Sequence, residues 1–155
     1  PRTGEIPVMP RRRILAMDPG TVRLCQAISD ADRRIASPLT TYTRRDLKQD
    51  AEFLKKVIDN EEVGFIVIGL PVRADGYEGE QAKAARAFGA WLLEATGLAC
   101  VFHDEQFTTF EAEAALQESG LTKKKRKARR DRVAAQILLQ AYLDAERTLQ
   151  EKRGG

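Results

Sequence analysis

The run Gly64-Phe-Ile-Val-Ile-Gly69 contains no polar residue, and it constrains the fold more than any other stretch of the chain. A strand with one solvated face alternates, whereas a continuous apolar run is expected of a strand covered on both faces. The neighbouring segments supply the cover. Asp46 to Glu62 carries Leu47, Ala51, Leu54, Val57 and Ile58 at helical spacing. Glu80 to Thr96 reads as a second helix stopped by Gly97, and Leu98 to Asp104 as another buried strand.

The first third of the chain has a different rhythm. Arg13-Ile-Leu-Ala-Met-Asp18 is a short apolar run stopped by Pro19-Gly20, the punctuation of a strand ending in a turn. Arg23 to Ser29 predicts a second strand and Ile35 to Thr43 a third, with Pro38 pointing to an edge or a bulge. Short links between the three favour an antiparallel meander. Near the other end, Thr108-Thr109-Phe110-Glu111 fits a capping box that opens a third helix running to Ser119. A basic segment follows, then a long final helix over about Arg130 to Lys152. The expected architecture is an α/β domain with a five-stranded mixed sheet, a three-strand antiparallel meander plus two parallel strands, flanked by about four helices. It occupies residues 13–152 after a flexible amino-terminal arm of residues 1–12.

Composition narrows the class. The 155 residues are 43% hydrophobic and 32% charged, which fits one globular domain with a proper core. No stretch approaches the roughly 20 apolar residues that cross a bilayer, so no membrane partner is expected. Pro1 to Arg13 has no apolar run and does not read as a secretory signal. Cys25 and Cys100 lie in strand-like segments without disulfide or metal-ligand spacing, and read as reduced core residues of a soluble cytoplasmic protein. Net charge is +3, but Lys123 to Arg132 alone carries +7, leaving −4 elsewhere. A basic cluster on a mildly acidic body points to a local anionic partner, with a solvated loop as the plain alternative.

Acids at strand ends are the candidates for chemistry, because α/β layers carry their sites at the carboxyl edge of the sheet. Asp18 closes the first strand and Glu105 follows the last. Gly20 removes a side chain where a bulky anion approaches. Asp131 begins a helical stripe continued by Ala134, Ala135, Leu138, Ala141, Tyr142 and Ala145, so it shares the face that packs on the sheet. Three converging carboxylates repel unless a cation lies among them, and hard oxygen donors select Mg²⁺ or Mn²⁺. Two such ions clamp a phosphodiester for in-line attack without a Ser, Cys or His nucleophile. Each acid also has a structural role open to it. Asp18 can cap a turn, Asp131 can complement a helix amino terminus, and Glu105 can be a surface charge with Asp104 as the ligand instead.

The residues resemble a known family. Ile14-Leu-Ala-Met-Asp-Pro-Gly-Thr21, Ile66-Val-Ile-Gly-Leu-Pro71 with Asp75-Gly76, His103-Asp-Glu-Gln-Phe-Thr-Thr109, and Asp131-Arg-Val-Ala-Ala135 after a Lys/Arg run are similar, in order and spacing, to the YqgF family, also called RuvX. The likeness spans about Arg13 to Leu143. It implies a ribonuclease H-like fold related to Holliday-junction resolvases, a bacterial cytoplasmic location, and a part in maturing the precursor of small-subunit ribosomal RNA (pre-16S rRNA). Carried over by position, the family's catalytic and metal-binding acids fall on Asp18, Glu105 and Asp131. The sequence departs from the family pattern at Val22, at Cys25 and Gln26 in the second strand, and at Gln106, where an Arg is expected after Asp104-Glu105.

The leading expectation is therefore a metal-dependent nuclease for structured RNA, carrying two Mg²⁺ or Mn²⁺ ions. Phosphate contacts are expected from Lys123, Lys124, Lys125, Arg126, Lys127, Arg129 and Arg130, and from Arg73 on the loop. Gly69, Pro71, Asp75 and Gly76, with Thr108 and Thr109, are expected to shape the site. The rivals are a resolvase for branched DNA and a non-catalytic nucleic-acid-binding module. The strand before the one that leads to Glu105 ends Gly69-Leu70-Pro71 without an acid, where the better-known resolvase takes its second one, so that activity does not transfer by analogy. A monomer and a homodimer are both compatible with the sequence. His103 reads as a strand residue with a satisfied ring, Trp91 as core, and Tyr77 as an exposed loop residue or a base-stacking one.

Overall fold

The computed structural model describes residues 13–19, 23–71, 78–104 and 123–154, with the backbone only for 19, 123–132 and 154. The elements are β1 (Arg13–Pro19), β2 (Arg23–Ser29), β3 (Ala36–Thr43), α1 (Leu47–Asn60), β4 (Val63–Leu70), α2 (Glu80–Thr96), β5 (Cys100–Asp104) and α3 (Lys123–Gly154). One five-stranded sheet is ordered β3-β2-β1-β4-β5. β1, β2 and β3 form the antiparallel meander, while β4 pairs parallel to β1 and β5 parallel to β4.

Alternation along the strands divides the core into two layers. Leu15, Met17, Leu24, Ile28, Ile66 and Ile68 face α1 and α2, against Leu54, Ile58, Phe88 and Leu92. Ile14, Ala16, Cys25, Ala27 and Val67 face α3, against Ala135, Leu138, Leu139 and Leu143. The central run of β4 is covered on both sides, with Ile66, Val67 and Ile68 all at 0% exposure. Small residues gather on the α3 side, which lets that helix approach the sheet closely.

Local signals account for the ends. The Asp46 carboxylate caps α1 by accepting from the Gln49 amide at 2.7 Å. Gly97 ends α2 in the left-handed region, at φ 76°. Asp50, 1% exposed, ties β3 to α1, accepting from the Arg45 amide at 2.9 Å and from Arg44 Nε at 3.3 Å.

The structure corrects two expectations. β5 is a short half-buried edge strand, not a buried one, because α2 covers one of its faces while α3 lies mainly over β1, β2 and β3. The last helix starts at Lys123, not near Arg130, so the basic segment is its opening turns and not a loop. Lys, Arg and Ala are good helix formers, and only charge repulsion opposes helix there. β3 is the other edge, and its pairing slips between Cys25 and Ala27, close to Pro38. The expected third helix over Thr108 to Ser119 lies outside the described residues.

Candidate active site

The register fixes one end of the sheet as the place where acids gather. Met17 pairs with Ile68, so Asp18 follows in step with Gly69, which is itself opposite His103. On the other side Asp18 lies opposite Cys25, and Cys25 opposite Thr41. One row across the sheet therefore reads Thr41, Cys25, Asp18, Gly69, His103. Members of a row share a face, and Cys25 belongs to the layer under α3. Asp18 is thus a half-buried acid on the α3 face, at the carboxyl end of the central strand. Between it and β5 stands only Gly69, without a side chain.

α3 runs toward the same edge. Gln140 donates to the Arg34 carbonyl at 2.8 Å and accepts from the Ala36 amide at 2.9 Å, while Gln136 donates to the Ala36 carbonyl at 3.2 Å. Stepping from residue 140 back to 136 therefore climbs β3 from its start toward Thr43. At 1.5 Å per residue, position 131 lies roughly 13 Å along that climb from Gln140. The Asp131 backbone is helical, one turn before buried Ala135, and its side chain is outside the described residues.

β5 brings two further groups. His103 meets the Tyr142 ring edge-on, with centroids 5.8 Å apart, and Tyr142 meets Phe65 in the same way at 6.1 Å. Burial lowers the His103 pKa, against the opposing pull of Asp104. His103 is a strand residue, as expected, and its ring packs against Tyr142. Asp104, opposite Leu70, alternates onto the α1 and α2 face and is exposed. Glu105 comes next in the chain but lies outside the described residues, as do Gly20, Arg73, Asp75, Gly76, Thr108 and Thr109. Gly69 and Pro71 are at the expected edge. The basic residues Lys123 to Arg130 lie on the first turns of α3, with their side chains outside the described set. Among the described residues no group of three or more His, Cys, Asp or Glu could hold a metal ion. Of the two described carboxylates at this edge, Asp18 lies on the α3 face and Asp104 on the other, so they do not form a donor pair by themselves.

A family model described as a Holliday junction resolvase, RuvX, matches residues 12–145. The chain belongs to the RuvX family. Relatives named as pre-16S rRNA nucleases include one from Rhodopirellula baltica, 41% identical over 92% of this chain and 82% of its own length. Another, from Anaeromyxobacter, is 39% identical over 85% of this chain and 96% of its own. Among solved structures, Thermus thermophilus RuvC superposes with a TM-score of 0.51 at 12% identity, covering 88% of this chain and 96% of that one. The same protein in complex with a Holliday junction substrate gives 0.50 at 12%, covering 86% and 94%. The fold of this RuvX chain is ribonuclease H-like.

Register also sorts the departures from the family pattern. Cys25 stands directly beside Asp18, so that departure touches the candidate site. Gln26, opposite Met17, points into the α1 and α2 layer and away from Asp18. It is 2% exposed, and neither polar atom of its side chain has a partner among the described residues. Val22 and Gln106 are outside the described residues. Sequence reasoning passed over Tyr142 as a link between α3 and β5, and over Gln136 and Gln140 as the strap that orients α3. Two Gln four apart in the otherwise apolar stretch Val133 to Leu143 were the available signal.

Proposed function

We propose that this RuvX chain hydrolyses phosphodiester bonds in structured RNA, with precursor small-subunit ribosomal RNA as the substrate, using two divalent ions held by Asp18, Glu105 and Asp131. The observation that carries the reading is the position of Asp18, which ends the central strand on the face over which α3 climbs toward it. Asp104 alternates to the opposite face, which favours Glu105 as the partner acid on β5's side. Helical periodicity gives Asp131 the same face as buried Ala135 and Leu138.

The ions, when bound, supply Lewis-acid stabilisation of the charge that builds on the attacking and leaving oxygens. The chain's own residues do the positioning. Asp18 presents its carboxylate from the end of the central strand. Gly69, next to Asp18 in the row, brings no side chain of its own between a phosphodiester and that carboxylate. The cations at the start of α3 are suited to holding the flanking phosphates, an attraction that weakens steeply with salt. The relatives' name supports RNA, and the RuvX model's description supports branched DNA as the second reading.

The test is cleavage of a labelled pre-16S rRNA fragment and of a four-way DNA junction with Mn²⁺ at equal salt. Faster cleavage of the RNA, lost in Asp18→Asn, is expected. Junction cleavage alone would move the assignment to branched DNA, and activity unchanged by Asp18→Asn would end the metal-site reading.

A further inference from the structure

The edge that carries Asp18 is electrically lopsided. Because β2 runs down from that edge and β3 runs up to it, Arg23 at the start of β2 and Thr43 at the end of β3 lie opposite each other there. Arg23 is two residues beyond Cys25, the partner of Asp18, and parity puts it on the same face. Strand geometry sets it about 5 Å across and roughly 7 Å along from Asp18 in backbone position. Arg45 leaves the edge two residues after Thr43, and Lys48 follows in the first turn of α1.

All three side chains are exposed, and among the described residues none has an ion-pair partner. Arg44, between them in sequence, behaves differently. Its guanidinium turns inward to the buried Asp50 carboxylate at 3.3 Å and lies 5.4 Å from the Phe88 ring. The same carboxylate accepts from the Arg45 amide. Asp50 thus pins the turn in a form that sends Arg44 in and Arg45 out. The other shoulder of the edge carries acids, with Asp104 ending β5 and Glu78 and Glu80 at the start of α2. Glu78 is already paired with Arg86 at 2.6 Å and 2.8 Å.

We propose that Arg23, Arg45 and Lys48 form a phosphate track over the β2 and β3 shoulder, along which the nucleic-acid strand enters toward Asp18. The proposal rests on the nuclease reading and adds the direction of approach. A polyanion lowers its energy beside unpaired cations, whereas Arg86 and Lys83 on the α2 shoulder are already paired with Glu78 and Glu80, so the strand crosses on the β2 and β3 side. This track is separate in sequence from the basic opening of α3: Arg23 shares the face of Asp18, while Arg45 and Lys48 carry the track round the edge toward the α1 side.

The test is the affinity of a fluorescein-labelled RNA hairpin with single-stranded tails, measured by anisotropy in EDTA so that no cleavage occurs, at 50 to 200 mM salt. The triple variant Arg23→Ala/Arg45→Ala/Lys48→Ala is compared with Arg34→Ala/Lys55→Ala/Lys56→Ala, which removes equal charge elsewhere. The track predicts that the first variant loses at least tenfold in affinity at the lowest salt. Its salt slope is expected to fall by about 2, since each lost phosphate contact removes roughly 0.7–0.9. The control variant stays within about twofold of wild type. Equal behaviour of the two variants, or an unchanged slope in the first, overturns the track and leaves the nuclease reading standing. Failure of the wild-type protein to bind the hairpin overturns both.

Discussion

Gly89→Ala sets two effects of similar size against each other, and the structure says which wins. Gly89 is buried in the middle of α2, where a Gly costs about 1 kcal/mol relative to Ala. On propensity alone the substitution stabilises. A methyl built on Gly89, however, comes within 2.6 Å of Phe102 Cζ, 3.1 Å of Cε1 and 3.2 Å of Ile68 Cδ1. The first distance is one that real Cβ atoms do not tolerate, so the Phe102 ring must move. That ring is packed between the core layer and the Arg86 guanidinium, 5.1 Å from its centre, so little room is free. Overpacking of this kind costs about 1–3 kcal/mol. The balance is a net loss of roughly 1 kcal/mol, read as a lower urea midpoint at unchanged slope. Because Phe102 precedes His103 and Asp104 on β5, its displacement should also reduce cleavage under conditions where the protein stays folded. Gly89→Ala/Phe102→Leu removes the obstacle and should recover the propensity gain relative to Phe102→Leu alone. A Gly89→Ala protein more stable than wild type by about 1 kcal/mol would refute the close-packing argument.

Tyr142→Phe should keep near-normal cleavage and Tyr142→Ala should lose it severalfold, since only the ring spans from α3 to His103; equal rates for the two in a single-turnover assay would deny the link. Leu139→Ala, at a position with 0% exposure, should cost about 3–5 kcal/mol in urea unfolding by opening a cavity under α3. Burial alone would raise the Asp50 pKa, but hydrogen bonds from the Arg45 amide, Tyr42 and Arg44 outweigh it and hold the carboxyl below its ordinary value. A carboxyl depressed in the folded state gives stability that is present above its unfolded pKa and lost as pH falls through the folded one. Unfolding midpoints should therefore drop as pH falls below about 4 in wild type, and less steeply in Asp50→Asn. Burial pushes the Cys100 thiol up to about 11, so at pH 8 a thiol reagent should label it slowly in native protein and quickly in urea.

The sheet was legible in the sequence because its signals are local and strong. The unbroken Phe65–Ile68 run, the Pro19-Gly20 stop and the Asp46 and Gly97 caps each act within a few residues, and the five strands fell where those signals put them. The start of α3 was not legible. A Lys/Arg run reads equally as solvated loop or helix, and it became helix as a continuation of a segment anchored by Ala135, Leu138 and Leu139. β5 reads as buried from its composition, but which strand lies at an edge is a matter of topology, not of any window of residues. The candidate site was legible as residue types and strand-end positions, and Asp18 does lie near the end of β1. What no pattern could supply is row parity. Cys25 beside Asp18, Gln26 pointing away, and Arg23 on the acid's own face all depend on a register set by long-range pairing.

The central claim is that carboxylates from residues 18, 105 and 131 enclose one cation cleft. Crystals soaked in Mn²⁺ and recorded at a wavelength where manganese scatters anomalously test it most directly. The account predicts one or two anomalous peaks above Gly69, bounded by oxygens of Asp18, Glu105 and Asp131. Peaks elsewhere, or those three side chains on separate surfaces with the ion bound by Asp104 alone, would contradict it.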